Sequence, residues 1–159
     1  QIVGYYRWLS EIPEEKKVTI IYNSIWHSTE RMAHEIAEGV KQAGYEAVIL
    51  DLHTENLVKI MAEALTSKAI ALGSLTILGS YHPQFESLFV YLKLNNQPGK
   101  RCAVFGTHGW VAQAVPKLKK KLEELEYNVM DAVDHRFGPK TEEDFSRLKK
   151  IGHKLAGGD

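Results

Sequence analysis

From Lys17 onward, the chain alternates between short continuous hydrophobic runs and stretches whose apolar residues recur at helical spacing. The continuous runs predict five strands, at residues 18–22, 47–50, 69–73, 101–106 and within 128–137. The stretches between and after them predict five helices, of which the first two cover residues 29–43 and 54–66. Strands that alternate with helices indicate a parallel sheet. Because the runs are apolar throughout, we expect helices on both faces, giving a three-layer α/β sandwich.

Residues that begin or end helices stand at several of the predicted boundaries. Gly44 follows the first helical stretch, as is common at helix ends. Pro83 suits the first position of the third helix. Thr141, Glu142, Glu143 and Asp144 predict a capping box for the last helix.

Length and composition place the chain among single globular domains. It has 159 residues, with 44% hydrophobic and 25% charged residues. Twenty Lys plus Arg balance twenty Asp plus Glu, so no basic field favours nucleic acid or an acidic membrane surface. No apolar run approaches the length of a membrane span. The only cysteine, Cys102, lies in an apolar run and favours an intracellular, cytoplasmic address.

The first sixteen residues stand outside this alternation. They carry Tyr5, Tyr6, Trp8 and Leu9, followed by a polar stretch. We interpret residues 1–16 as a connector segment whose aromatic residues pack on this domain or on a neighbour, and residues 17–159 as the domain. The chain begins with Gln rather than Met, so we expect a processed start or an excised fragment.

The loop after the first strand carries three hydroxyls, from Ser24, Ser28 and Thr29, and leads directly into a helix. Ligands of open parallel sheets bind beyond the carboxyl ends of the strands. Hydroxyls and free amides at a helix start can hold a phosphate without lysine, and no cation precedes Arg31 in this loop. The loop lacks the glycines and lysine of nucleotide triphosphatases. The alternative interpretation is a simple helix cap.

The loops after the third and fourth strands predict the place of a flat ring. Residues 73–83 form a long loop with Gly79 available for an unusual backbone conformation, and residues 106–110 place His108 and Trp110 beside two glycines. Trp26, Tyr81, His108 and Trp110 are each more often packing residues, but together at one sheet edge they favour stacking on a planar cofactor. The three loops therefore suit a mononucleotide with a flat aromatic head.

With those segments identified, the sequence resembles the flavodoxin-like domain of the flavodiiron proteins, or A-type flavoproteins, from about Val3 to the end. The resemblance is carried by residues 22–32, by Gly73, Ser74 and Thr76, and by residues 105–110. It implies a flavodoxin-like fold, with a five-stranded parallel sheet in the order 2-1-3-4-5, and FMN as the cofactor. It assigns the first loop to the phosphate: Ser24, Ile25, Trp26, His27, Ser28 and Thr29. It assigns the other two loops to the ring side: Thr76, Ile77, Leu78, Gly79, Thr107, His108, Gly109 and Trp110.

The sequence departs from the family pattern in both ring loops. Ile77 and Leu78 stand where asparagines are usual, residues 111–113 replace a run of glycines, and His108 stands where tyrosine is more usual. The last change suggests sensitivity to pH. We also expect no cation near the ring, which would disfavour its negatively charged reduced form.

The resemblance also implies a larger protein. Family members carry an N-terminal diiron domain of the metallo-β-lactamase type, absent here, and pass electrons from a rubredoxin-like or flavin reductase partner through FMN to the irons, commonly in a homodimer or larger assembly. They reduce oxygen or nitric oxide. The seven histidines of this chain are scattered, so we predict no metal site within it. The domain itself is expected to carry electrons, with no catalytic side chain.

The sequence is also compatible with other functions. An NAD(P)H:quinone or flavin reductase shares the fold, and a domain that has lost its cofactor could serve only as a contact surface. A phosphorylated receiver domain would need an acidic pair after the first strand and an Asp after the third, and the chain has Asn23-Ser24 and Gly73-Ser74 there.

Overall fold

The structure is a computed structural model that describes residues 14–158. Strands and helices alternate along this part of the chain without exception. The strands are β1 (Glu15–Asn23), β2 (Glu46–Asp51), β3 (Ser67–Leu75), β4 (Arg101–His108) and β5 (Asn128–Arg136). The helices are α1 (Ser28–Gln42), α2 (Leu57–Thr66), α3 (Phe85–Leu94), α4 (Ala114–Glu124) and α5 (Glu142–Leu155).

The five strands form one parallel sheet in the order β2-β1-β3-β4-β5, which confirms the predicted architecture. In the centre of the sheet, Ile20 of β1 lies opposite Ile49 of β2 and Ala71 of β3. The winding direction reverses between β1 and β3, which are neighbours although β2 lies between them in sequence. The carboxyl ends of these two strands therefore diverge into loops on opposite faces and leave a crevice between them.

Each face of the sheet has its own hydrophobic core. One core joins alternate strand residues to α2, α3 and α4, and the other joins the remaining residues to α1 and α5. The predicted burial on both faces is confirmed for β1, β3 and β4. It is wrong for the edge strands β2 and β5, most of whose residues are only partly buried, because each has a neighbouring strand on one side alone.

Helices α1 and α5 pack against each other through two glycines. A Cβ atom on Gly39 would lie 1.9 Å from the carbonyl oxygen of Lys149, and one on Gly152 would lie 2.0 Å from that of Ile36. Neither helix could carry a larger residue there without moving away from the other. This close contact fixes α1, and hence its N-terminus, relative to the sheet.

The capping box predicted for the last helix is confirmed. The hydroxyl of Thr141 accepts a hydrogen bond from the amide of Asp144, and the Asp144 carboxylate accepts one from the amide of Thr141. Two other predicted helix starts are early by two or three residues. Helix α2 begins at Leu57 because the Asn56 side chain caps it, and the residues before α3, including Pro83, form a turn closed by His82.

Two strands extend farther toward the carboxyl edge than predicted. Strand β3 continues to Leu75 and β4 to His108, since Ser74 pairs with Gly106 and Leu75 with Thr107. Ser74 and His108 are therefore strand residues with fixed directions rather than loop residues. The loops that follow begin at Thr76 and Gly109.

The predicted connector, residues 1–16, lies mostly outside the described residues, as do its aromatic side chains. Of that segment, residues 14–16 are described, and β1 starts at Glu15. Within residues 14–158, no helix combines the length and the apolar character needed to cross a membrane.

Candidate cofactor site

A cavity of about 450 Å³ opens at the carboxyl edge of the sheet. Its volume is within the range of small-molecule and cofactor sites, about 300 to 1,000 Å³. The wall is formed by the loops and strand ends that follow β1, β3, β4 and β5. The lining residues are Ser24, Trp26, Ser28, Thr29, Leu75, Thr76, Thr107, His108, Gly109, Trp110 and Phe137.

One end of the cavity is the start of α1. The residue that precedes this helix, His27, has a left-handed backbone (φ 64°), and no side chain caps the helix. The first amides of an α-helix have no partner within the helix, and the helix dipole makes this end positive. Ser24 and Ser28 add two hydroxyls to the same wall. This end of the cavity is therefore suited to an anion.

Two threonine hydroxyls form the floor beside that end. Thr29 and Thr107 are buried, and their Oγ1 atoms lie 3.3 Å apart. The pair joins α1 to β4 beneath the cavity. Thr29 thus shares its hydroxyl with Thr107, whereas Ser24 and Ser28 have no side-chain hydrogen bond to another part of residues 14–158.

Thr76 holds the loop after β4 in place. Its Oγ1 accepts hydrogen bonds from the amides of Gln113 (3.2 Å) and Ala114 (3.0 Å), where α4 begins. Its own amide donates to the carbonyl of Thr107 at 2.9 Å. Since Thr76 and Thr107 both line the cavity, these bonds fix the two ring-side loops relative to each other.

The loop after β3 is anchored by Ser74. The Ser74 hydroxyl accepts a hydrogen bond from the amide of His82 at 2.9 Å and donates to the carbonyl of Leu75 at 2.8 Å. Burial lowers the pKa of His82, and the nearby His53 lowers it further, so the ring is neutral at pH 7. The His82 Nδ1 accepts from the amide of Gln84 at 3.2 Å, which closes the turn before α3.

Large aromatic side chains flank the mouth of the cavity. Trp26 is 82% exposed, Trp110 is 90% exposed and Phe137 is 59% exposed, although all three line the cavity. Exposing this much aromatic surface at one place is costly unless a ligand or a partner covers it. Their flat faces suit contact with a planar ring.

His108 forms the ring-side wall together with an acidic partner on the next strand. Its Nδ1 lies 2.5 Å from Oδ1 of Asp134, and the two side chains are 17% and 14% exposed. Asp134 contacts His108, which lines the cavity, but does not line the cavity itself.

Cations lie near the cavity, contrary to the expectation from the sequence. The Arg136 Nε donates to the carbonyl of Gly109 at 3.1 Å, and its guanidinium carbon lies 5.3 Å from the centre of the Phe137 ring. The Lys140 ammonium lies 5.7 Å from the same ring. Gly109 and Phe137 both line the cavity, so positive charge lies close to its wall. That expectation was wrong because Arg136 ends the last strand and Lys140 follows it, and only the sheet register, which pairs Arg136 with His108, brings them to the cavity.

Nine of the fourteen predicted site residues line the cavity. They are Ser24, Trp26, Ser28, Thr29, Thr76, Thr107, His108, Gly109 and Trp110.

The other five do not line it. The His27 ring turns to Glu30, with Nδ1 and Oε2 2.6 Å apart, and the Ile25 side chain is half-exposed. Ile77, Leu78 and Gly79 belong to a tight turn that hydrogen bonds between Ile77 and Ser80 close. Tyr81, which the sequence suggested as a stacking residue, is buried against Phe85 and Phe89.

Leu75 and Phe137 line the cavity but were missed. Leu75 was placed in a loop, because the predicted third strand ended too early. Phe137 follows β5, and its amide donates to the carbonyl of His108 at 2.8 Å, which brings it to the cavity. Its signal in the sequence is the Phe137-Gly138 pair directly after a strand. No cluster of three or more His, Cys, Asp or Glu side chains that could hold a metal ion occurs among residues 14–158.

Comparisons with known proteins identify the family of this chain. The flavodoxin family model matches residues 20–150. The coenzyme F420H2 oxidase of Methanothermobacter thermautotrophicus is 36% identical over 146 residues, which cover 90% of this chain and 36% of that protein.

Two solved structures superpose closely. The flavodiiron protein from Giardia intestinalis gives a TM-score of 0.89 at 28% identity, and the rubredoxin oxygen:oxidoreductase from Desulfovibrio gigas gives 0.88 at 27%. Each match covers 98% of this chain and 39% of the other. The chain thus spans well under half the length of these relatives. It belongs to the flavodoxin family and is an FMN domain related to the flavodiiron proteins.

Proposed function

We propose that FMN occupies the cavity at the carboxyl edge of the sheet, and that the domain relays electrons within a flavodiiron-type reductase of oxygen or nitric oxide. One observation carries the proposal. A single cavity joins an uncapped helix start with two hydroxyls to a wall of exposed aromatic rings. A mononucleotide with a phosphate at one end and a flat ring at the other has matching chemistry.

The residues at the phosphate end are Ser24, Ser28 and the first amides of α1. A doubly negative phosphate there would satisfy amides that lack any side-chain cap and would lie at the positive end of the helix dipole. Thr29 would support this end from below, because its hydroxyl bonds Thr107. Ile25 and His27 would contribute through the shape of the loop, since their side chains point elsewhere.

The residues at the ring end are Trp26, Trp110 and Phe137, with Thr76, Thr107, His108 and Gly109 between them. The aromatic side chains would cover the flat faces of the ring and exclude water from them. Ile77, Leu78 and Gly79 would lie outside the ring contact, in the turn that Ser80 closes.

The bound FMN would supply the electron chemistry, and the protein side chains would set its position and electrostatics. Arg136, which contacts Gly109 and Phe137, would favour a flavin ring that carries negative charge. The mouth of the cavity remains open between Trp26 and Trp110, both more than four-fifths exposed. A redox partner could therefore approach the cofactor closely.

In the complete protein, we propose that electrons enter from a rubredoxin-like protein or a flavin reductase and leave to a diiron domain of the metallo-β-lactamase type. Support comes from the relatives, one an F420H2 oxidase and another a rubredoxin oxygen:oxidoreductase, of which this chain matches only a part. Residues 1–16 would connect the two domains, and a homodimer or larger assembly would bring a diiron site to the FMN. The reduced thiol of Cys102 favours a cytoplasmic location.

The decisive experiment compares FMN with riboflavin, which lacks the phosphate. We expect Ser28→Ala to weaken FMN about tenfold or more, the effect of removing a hydrogen bond to a charged group, and to leave riboflavin affinity nearly unchanged. Ser87→Ala, at an exposed position of α3, is the matched control. Affinities are read from quenching of flavin fluorescence by the FMN-free protein.

Two results would contradict the proposal. Equal losses for FMN and riboflavin would mean that the phosphate is held elsewhere. Steady consumption of NADH or NADPH by the FMN-loaded domain alone would favour a reductase acting on quinones or flavins instead of a relay.

A further inference from the structure

His108 and Asp134 form a partly buried pair between two neighbouring strands. His108 lies opposite Arg136, and Gly106 lies opposite Asp134, so His108 and Asp134 are diagonal neighbours on one face of the sheet. Since Gly106 has no side chain, the imidazole and the carboxylate can meet directly. The separation of Nδ1 and Oδ1 is 2.5 Å.

The pair determines which ring nitrogen of His108 carries hydrogen. A carboxylate only accepts hydrogen bonds, so the short contact requires a hydrogen on Nδ1. Nε2 is then the atom that is free to take up a proton. It has no hydrogen-bond partner within residues 14–158, and the ring lines the cavity. The proton-accepting atom of His108 is therefore available to the cavity.

The second oxygen of the Asp134 carboxylate is unpartnered within residues 14–158. Oδ2 of Asp134 is buried and has no hydrogen-bond partner in the described part of the chain. Arg136, on the same face, donates to Gly109 and stacks on Phe137 rather than pairing with Asp134.

Nearby lysines also contact groups other than Asp134. The Lys140 ammonium lies over the Phe137 ring, and Lys117 of α4 donates to the carbonyl of Gly79. Strand β3 places Ser74 and Leu75 beside β4 and adds no charge. Asp134 is thus a partly buried carboxylate whose charged partner among residues 14–158 is His108. In general, a carboxylate attracts a cation beside it.

We propose that Asp134 is a positioning residue, which holds His108 so that Nε2 takes up one proton from solvent when the bound cofactor gains negative charge. The inference rests on the proposed placement of the FMN ring in this cavity. The electron comes from the reduced donor, the proton comes from water, and no bond between protein and cofactor forms or breaks. The positive charge on His108 then offsets the negative charge on the cofactor, so reduction adds no net charge to the site as a whole; histidine can do this because it changes its charge near neutral pH.

The test measures proton uptake on reduction of the FMN-loaded protein. The protein is reduced with dithionite at pH 7 in weak buffer with an indicator dye, and midpoint potentials are recorded from pH 5 to 9. The variants are His108→Tyr, which keeps an aromatic ring, and Asp134→Asn. His135→Gln is the matched control, because His135 lies on the other face of β5 and outside the cavity lining.

We expect wild type and His135→Gln to bind as much as one additional proton per reduced FMN, compared with His108→Tyr. The bend in the plot of potential against pH should be lost in His108→Tyr and should move toward lower pH in Asp134→Asn. In the FMN-free protein, nitrogen NMR should show hydrogen on Nδ1 of neutral His108 and a mixture of both forms in Asp134→Asn. If His108→Tyr does not fold, His108→Gln takes its place.

Proton uptake and potential profiles that are the same in wild type and His108→Tyr, with FMN bound to both, would overturn the inference and leave the proposed site intact. The same holds if neutral His108 carries its hydrogen on Nε2. A Ser28→Ala variant that weakens FMN and riboflavin equally would locate the failure in the proposed site instead.

Discussion

Asp131 of β5 and Arg147 of α5 form a two-point ion pair, with each carboxylate oxygen 2.5 Å from a guanidinium nitrogen. Lys154, farther along the same helix, adds a third contact at 3.1 Å. Strand β5 is the edge of the sheet, and its side chains are only partly buried. The pair therefore links the edge strand β5 to helix α5, which also packs against α1.

This pair predicts a defined dependence of stability on pH. Burial by itself would raise the pKa of Asp131, but the hydrogen bonds and charges of Arg147 and Lys154 outweigh it and lower the pKa to about 2. The unfolded chain binds the proton near pH 4, so the stabilisation is complete above pH 4 and is lost as the pH falls toward 2.

We expect Asp131→Asn to lower the free energy of unfolding by about 2 kcal/mol at pH 7, a value moderated by the half-exposed Arg147. The difference from wild type should shrink between pH 4 and pH 2. Urea unfolding at several pH values measures both. Glu38→Gln, which removes an exposed contact to Lys41, is the control and should change stability little. A deficit of the same size at pH 2 would contradict the assignment.

Cys102 should be chemically inert in the folded protein. Its side chain is fully buried in β4, and burial, followed by the charge of Glu123, raises the pKa of the thiol to about 12. The thiolate is the reactive form. We expect reaction with a disulfide reagent at pH 8 only when the protein unfolds, so that the rate rises steeply across the guanidinium transition. A Ser87→Cys variant in a Cys102→Ala background should react at once, and rapid labelling of native wild type would refute the expectation.

Gly138 should matter for the phosphate end of the site. It has a left-handed backbone (φ 94°), and a Cβ there would lie 3.1 Å from the Cβ of Ser28. Gly138→Ala should therefore displace Ser28 and weaken FMN more than riboflavin. Gly44→Ala is a matched control, since Gly44 also has a positive φ (83°) but an added Cβ would meet nothing within 4 Å. Equal FMN affinities for the two variants would show that the contact with Ser28 is unimportant.

Trp110 should act on the ring end and not on the phosphate end. Removing an aromatic partner from a stacked base costs about 1 to 3 kcal/mol, roughly fivefold to 150-fold in affinity. We expect Trp110→Ala to weaken FMN and riboflavin by the same factor, in contrast to Ser28→Ala. Tyr91→Ala, at an exposed position on α3, is the control for losing surface aromatic area. A loss confined to FMN would exclude Trp110 from the ring contact.

Much of the fold could be predicted from the sequence because its signals are local. The run at residues 18–22 is apolar at nearly every position, and the helix that follows has Met32, Ile36 and Val40 on one stripe; all three are fully buried. The ends of several helices and strands were not predictable in this way. Asn56 starts α2 with its own side chain, and Ser74 and His108 belong to strands because their neighbours pair with them, which a local pattern does not show.

The candidate site divides in the same way. The residues around the start of α1 could be predicted, since hydroxyls that precede a helix lie next to its free amides whatever the rest of the fold does. The loop after β3 could not, because Leu78 and Gly79 both adopt positive φ and turn the chain away from the cavity. Phe137 reaches the wall only through its hydrogen bond to His108.

The sequence by itself determined the order of strands and helices, the two-faced burial of the central strands and the position of hydroxyl residues in the segment from Ser24 to Thr29 at the start of a helix. These follow from spacing over a few residues. Only the tertiary structure decided that Asp134 contacts His108, that Arg136 donates a hydrogen bond to Gly109 and that Phe137 lines the cavity. These contacts depend on the register between β4 and β5. That register depends on how helices pack on both faces of the sheet, so no short stretch of sequence encodes it.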